Sequence, residues 1–359
     1  MITGAIKTEV KEMRDMNRIR LGLVGCGGMM KNHMSGVQLV ETVEVTALCD
    51  VIRSRAEDVA TLFPKAFITT DYREMVDKVD AVLVALPHDL HYECGLFFAR
   101  KKKHILMEKP LCNTEEECVR LIKACEDEGV TLMCAYPVRY WQGIVKLKEL
   151  VDSGAYGQPF QMSIWTEQLT CPSELGWSAT ARLGGGQFFS HGCHYVDLIL
   201  WFMGNPVKGI HMGTNLGTPW MLREGTSAAI ITFESGAIGY LGGTWGARGT
   251  RLGYDFQIHT EKGMLEYDHY AGLVRLYDRT DVHIPGQFAD QTCTVLWDRG
   301  KDMNKETQHE IRHFADCVLN GKKPLTDGHS ALQGLRVIWK LYDAEQHNTV
   351  ADLRGLGLE

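Results

Sequence analysis

The sequence lacks any long apolar run: its most hydrophobic stretch, Tyr195 to Met203, is interrupted by Asp197 and stopped by Gly204. A bilayer-crossing helix needs roughly 18 consecutive apolar residues, so no membrane partner is expected. It also lacks a basic stripe. The formal net charge is -7, and Lys101, Lys102 and Lys103 form one short, isolated run, so nucleic acid is not an expected partner. The 11 cysteines are scattered without paired spacing, which argues against a disulfide framework and for reduced, mostly buried thiols. Residues 1–17 mix Lys, Glu, Arg and Asp with isolated apolar residues, a pattern of neither a secretory signal nor a lipid anchor. They read as an N-terminal extension of a cytoplasmic protein. No internal repeat and no low-complexity linker interrupts the rest.

What is present is the composition of an ordinary globular protein, with 45% hydrophobic and 23% charged residues. A chain of 359 residues exceeds one ordinary core, so two domains are expected. In the first, residues 18–138, short apolar runs end at Gly, Pro or acidic residues: Ile19 to Val24, Val43 to Cys49, Phe67 to Thr69, Asp80 to Leu86, His104 to Met107 and Thr131 to Cys134. Stretches of helical spacing such as Ser54 to Leu62 and Tyr92 to Arg100 lie between them. The alternation predicts an α/β fold with a doubly wound parallel sheet. From 139 to 359 the texture changes, because Phe160 to Thr166, Ala228 to Phe233, Ala237 to Thr244 and Asp255 to Thr260 read as strands joined by short turns. An α+β domain on a large, mainly antiparallel open sheet is expected, with a helix at Tyr195 to Met203 and a last helix from about Lys305 to Asn320. One free face of such a sheet calls for cover, so a homo-oligomer (dimer, tetramer or hexamer) is expected.

Gly25, Gly27 and Gly28, followed by Met29, sit between the first strand and its helix. Missing Cβ atoms there let backbone amides approach a pyrophosphate at the positive end of a helix. A glycine-rich turn can also merely reverse the chain, and the context decides between the two. Asp50 closes the second strand at the spacing where a carboxylate accepts ribose hydroxyls, which points to NAD and away from NADP. Arg53 lies close enough to leave NADP use open. Met30 stands where the third small residue of this pattern is usual, so the first helix is expected slightly farther from the sheet.

Glu108, Lys109 and Pro110 follow a short buried strand, which places Lys109 at the carboxyl edge of the sheet, where ligands bind in open α/β folds. A cation there can lower the pKa of an alcohol and steady the alkoxide. A second cluster, Gly184 to Asp197, leads three glycines into a helix that presents His194, whose imidazole titrates near neutrality and can accept a hydroxyl proton. Ser190 and His191 precede it. A zinc reading of His191, Cys193, His194 and Cys171 lacks the CxxC or HExxH spacing that fixes a tetrahedral site, so no metal is expected.

Together GCGG at 25–28, Asp50, the EKP of 108–110, Tyr136 with Arg139, and GGGQFFSHGCHYVDL at 184–198 resemble the glucose-fructose oxidoreductase and inositol dehydrogenase (Gfo/Idh/MocA) family over nearly the whole chain. Pro87 and His91, the Gly154, Gly157 and Pro159 set, and Pro324 to Gly328 extend the match. The resemblance implies a Rossmann domain, a nicotinamide cofactor held partly by Pro87, His91 and Glu108, and a catalytic pair of Lys109 and His194. It also implies a cis Lys109-Pro110 bond. Many members carry Asp four residues before the catalytic histidine, where this chain has Ser190. Either His191 replaces that carboxylate, or Ser190 only binds substrate and His194 works alone. Tyr136, Arg139, Trp165, Glu167, Trp177, Arg182, Ser190, His191 and His211 are the candidates for a sugar pocket, since rings stack on C-H faces and charged groups fix hydroxyls.

The function implied is NAD-dependent oxidation of a ring hydroxyl, with C3 a reasonable guess, on a sugar or glycoside. Two alternatives stay open: a lyase or glycosidase-like enzyme that retains NAD through transient oxidation and elimination, and a non-catalytic NAD-binding regulatory or scaffold protein.

Overall fold

The computed structural model describes residues 18–170, 185–278, 292–300 and 306–358. The chain divides into two compact units, Met1–Pro137 with Lys305–Gly328, and Val138–Asn304 with His329–Glu359. In the first unit β1 (Ile19–Val24), α1 (Gly28–Val37), β2 (Val43–Cys49), α2 (Arg53–Ala60) and β3 (Phe67–Thr69) come first. They are followed by β4 (Ala81–Val84), α3 (His91–Arg100), β5 (His104–Glu108), α4 (Glu115–Asp127) and β6 (Leu132–Ala135). The strands form one parallel sheet in the order β3-β2-β1-β4-β5-β6. Strand β4 is buried along its whole length, as helices on both faces of a parallel sheet require. Chain order reverses between β1 and β4, the crevice where such sheets bind ligands. Helix α4 starts at a capping box in which Thr114 and Glu117 satisfy each other's backbone amides.

The second unit is built from α5 (Gln142–Asp152), β7 (Pro159–Glu167), α6 (Gln187–Ser190), α7 (Gly192–Met203), β8 (Pro206–Thr214), β9 (Thr226–Phe233) and β10 (Ile238–Thr244). It continues with β11 (Tyr254–Thr260), β12 (Gly263–Asp268), β13 (Leu273–Asp278) and β14 (Thr292–Asp298). Then come α8 (Thr307–Asn320), which belongs to the first unit, and α9 (Gly328–Gln346) and β15 (Ala351–Asp352). The sheet runs β14-β13-β12-β11-β7-β10-β9-β8-β15 and is antiparallel apart from the parallel pair β7 and β10. Because side chains alternate between faces, register sorts the residues into two rows. His211, Ala229, Leu241, Ile164, Phe256, Tyr267 and Val274 stand side by side across seven strands and are all buried. Helix α7 covers this face: a Cβ on Gly239 would lie 2.6 Å from Ile199 Cγ2. The next row, Met212, Ala228, Gly242, Trp165, Asp255, Asp268 and Leu273, faces the other way.

Two expectations are corrected here. The segment around α8, placed with residues 139–359 on sequence, belongs to the first unit because α8 packs closely on α1. A Cβ on Gly36 would sit 2.2 Å from Thr307 Oγ1, so only glycine allows the two helices this approach. Nor is α8 the last helix, since the 19-residue α9 follows it. Met30, by contrast, is absorbed completely into the core.

Candidate active site

The amide-rich turn after β1 has the form an anion requires. Gly25 has φ of 86°, and a Cβ there would lie 2.4 Å from the Ala85 carbonyl oxygen, so no side chain fits. At Gly27 and Gly28 a Cβ would meet nothing within 4 Å, so this side of the turn is open. Helix α1 begins there with no side-chain cap, which leaves its first amides available to a phosphate. Met29 is exposed beside them. The Asp50 carboxylate is oriented by two backbone amides, Cys26 N to Oδ2 at 2.8 Å and Ile52 N to Oδ1 at 2.8 Å. Each oxygen keeps a lone pair for a further donor. Arg53, the residue that left NADP use open, is paired with Glu57 at 2.9 Å. These residues fit a dinucleotide: an open amide cradle for the pyrophosphate and a preset carboxylate for ribose hydroxyls.

At the same edge of the sheet, Pro87 begins the turn after β4 and Lys109 follows β5 through a cis bond to Pro110. His91, expected at the cofactor, is instead fully buried. Its ring nitrogens lie 2.9 Å from the carbonyls of Leu86 and Pro110, so it ties the loops after β4 and β5 together. Glu108 accepts from the Lys109 amide at 3.1 Å and lies 2.6 Å from His33 Nε2. Burial opposes the charge on Glu108, but the hydrogen bond and charge of His33, with Lys109 and His91, hold its carboxyl below the usual range. Behind them on α8 lies Glu310, fully buried with neither carboxyl oxygen bonded. Burial, reinforced by the charge of Glu108, pushes its carboxyl well above the ordinary range. Sequence reasoning missed His33 and Glu310. The signal was available, since both sit in apolar stripes, His33 between Met30 and Val37 and Glu310 beside Ile311 and Phe314.

In the second unit His191 joins α6 to α7, and His194 lies in the first turn of α7. Glu224 anchors this corner: its Oε1 accepts from the Phe188 amide at 3.1 Å and from Tyr342 Oη at 2.6 Å, while its carbonyl accepts from Gln187 N at 2.8 Å. Gly186, with φ of 109°, lets the chain pass Glu224. The His191 and His194 rings are 6.0 Å apart and nearly perpendicular. Around His191 stand Tyr195, Tyr254 and Trp245.

Arg139 is buried in a two-bond pair with Asp197, at 2.5 and 2.7 Å. His211 is bound to Glu345 at 2.7 Å and stacked on Phe188. Trp165 and Glu167 alternate with Ile164 and Thr166 and so project from the face opposite α7. Trp165 packs near Tyr240 there, and Glu167 accepts from the Thr250 hydroxyl. Tyr136 and Ser190 are buried. Trp177, Arg182, Gly184 and Cys171 lie outside the described residues, and Cys193 turns its Sγ back to the Ser190 carbonyl.

Comparison with known proteins adds an independent line. Residues 19–136 match the oxidoreductase family with an NAD-binding Rossmann fold, and residues 144–266 match the GFO/IDH/MocA C-terminal domain. The chain is similar to a myo-inositol 2-dehydrogenase of Thermotoga maritima, 26% identical over 88% of this chain and 93% of the relative. It also resembles a scyllo-inositol 2-dehydrogenase (NAD(+)) of Bacillus subtilis, 24% identical over 89% of this chain and 92% of the relative. A levoglucosan dehydrogenase solved in complex with NADH has the same fold, with a TM-score of 0.84 at 19% identity, covering 94% of this chain and 99% of that one. A parallel dinucleotide-type sheet followed by a broad, mainly antiparallel one, each half matched by its own description, makes this chain a member of the Gfo/Idh/MocA oxidoreductase family.

Proposed function

We propose that the chain oxidises a ring hydroxyl of a sugar or glycoside to a keto-sugar with NAD, reversibly, with C3 the position to test first. The observation that carries this is the row of residues on one sheet edge: the glycine turn after β1, Asp50 after β2, Pro87 after β4 and Lys109 after β5. The inositol and levoglucosan dehydrogenases support the substrate class. The Asp50 carboxylate supports NAD over NADP, because a 2′-phosphate would meet its negative charge, and the nearby Arg53 is paired with Glu57.

NAD, when bound, supplies the acceptor for the hydride that leaves the alcohol carbon. The Lys109 ammonium lowers the pKa of the hydroxyl, and the His194 imidazole takes its proton and returns it in the reverse direction. Glu108 orients Lys109 through the backbone amide it accepts from. A panel of sugars, polyols, amino sugars and glycosides with NAD tests the reading. Stoichiometric reduced nicotinamide with a keto product located by NMR supports it. Turnover with no net reduction and cofactor surviving gel filtration would instead support the NAD-retaining lyase, and NAD binding without turnover the regulatory protein.

The same reading includes a cytoplasmic location, to which the free and, except for Cys293, buried cysteines of the described residues are suited. It also includes a homo-oligomer. Met212, Ile230 and Ile238 expose 69%, 40% and 44% of their surface on the sheet face away from α7. A monomer by light scattering at micromolar concentration would count against self-association.

A further inference from the structure

His191 joins α6 to α7, directly after Ser190 and three residues before His194 in the first turn of α7. Two phenols approach its Nε2, Tyr195 Oη at 3.3 Å and Tyr254 Oη at 3.4 Å. Tyr254 Oη also receives an amide N–H from Gln168 Nε2. Tyr254 Oη also shares a hydrogen bond with Tyr195 Oη, so the two phenols form one network in which Tyr254 can give its proton to the single lone pair of His191 Nε2. On the other side, the Gln187 amide lies 3.5 Å from Nδ1, and its Oε1 is otherwise buried with no partner. Amide O and N are interchangeable in shape. Turning the amide gives the Nδ1–H an acceptor in Oε1, with the amide Nε2 then taking the place where Oε1 has no partner.

We propose that Tyr254 and Tyr195 are positioning residues that hold His191 as a neutral imidazole with its proton on Nδ1, leaving His194 the one proton acceptor of the pair. This rests on the reading of His194 as the base. Burial keeps both phenols protonated, and so able to donate, far above neutral pH. The described groups facing the ring from the surrounding elements are His194 and Tyr195 on α7, Tyr254 on β11, Gln187 on α6 and Trp245 after β10. The first consequence is electrostatic. A protonated His191 would place a second cation 6.0 Å from the ring that must itself become imidazolium, and like charges disfavour each other's charged form.

The test is nitrogen NMR of the full-length protein with labelled histidine, His191→Gln identifying the resonances. The expected wild-type signature is a protonated Nδ1 and an unprotonated Nε2, with no titration down to about pH 5, below the ordinary histidine pKa of about 6.5. In Tyr195→Phe with Tyr254→Phe, the proton moves to Nε2 or the ring titrates near its ordinary value. With an active substrate, the same variant lowers kcat severalfold with KM little changed and moves the acid limb of kcat/KM upward. A protonated Nε2 in the wild type, or unchanged shifts in the double variant, overturns the proposal. If no substrate is found, the NMR result still decides this point, so the two readings fail separately. If the double variant does not fold, the wild-type tautomer and Tyr254→Phe alone decide it.

Discussion

At the scale of single residues the chain separates groups held ready from groups already engaged. Asp50 is held ready: two amides fix its carboxylate while each oxygen can still accept. Asp50→Ala should weaken NAD binding more than NADP binding, measured as the ratio of the two Kd values by titration; an unchanged ratio removes its role in cofactor choice. Lys109→Ala and His194→Ala should each lower kcat by about 10²- to 10⁴-fold, the usual contribution of a positioned acid or base. Both should retain NAD binding and an unchanged melting curve, and full activity in either would remove it from the mechanism. Arg139 and His211 show why polar residues near a site are hard to rank from sequence. Each has the chemistry of a sugar ligand, yet one is bound to Asp197 and the other to Glu345, partners 58 and 134 positions away. Nothing local in the sequence announces such pairings.

Between elements, the Arg139–Asp197 pair ties the turn before α5 to the buried side of α7. Asp197 is fully buried; burial pushes its carboxyl up, and the Arg139 charge and hydrogen bonds oppose this. Removing one partner leaves an uncompensated buried charge. Asp197→Ala should therefore cost about 3–5 kcal/mol in urea unfolding, and Arg139→Met with Asp197→Leu should recover most of it. A cost below about 1 kcal/mol would show the pair to be dispensable. Strand β1 and strand β2 were readable to the residue, because both are mostly buried apolar runs, broken only by Arg20, Glu44 and Thr46 and stopped by Gly25 and Asp50. Helix α9 was readable and overlooked: Ala331, Leu335, Ile338 and Leu341 repeat at helical spacing and are all buried.

For the molecule as a whole, buried carboxyls make stability depend on pH. Asp255, with a buried and unbonded Oδ1, is pushed from 3.8 up to about 7 by burial and by the charges of Glu266 and Asp268. Glu310 is raised in the same direction. A carboxyl whose folded pKa exceeds its unfolded one binds more protons when folded, so stability falls as pH rises between the two values. For Asp255 that window runs from 3.8 to about 7. Asp255→Asn and Glu310→Gln should each raise Tm by several degrees at about pH 8 and by little at about pH 4, read by scanning calorimetry. A gain equal at both pH values would assign the effect to packing instead. By itself the amino-acid order determined the alternation of strand and helix, the glycine turn, the acidic end of β2 and the lysine and histidine motifs, because each rests on neighbours a few positions apart. Only the tertiary structure decided that α8 joins the first unit, that His91 and Arg139 are bound internally, and that Trp165 turns away from α7. Those outcomes depend on strand register, helix approach at Gly36 and the pairing of distant charges, which no local pattern encodes.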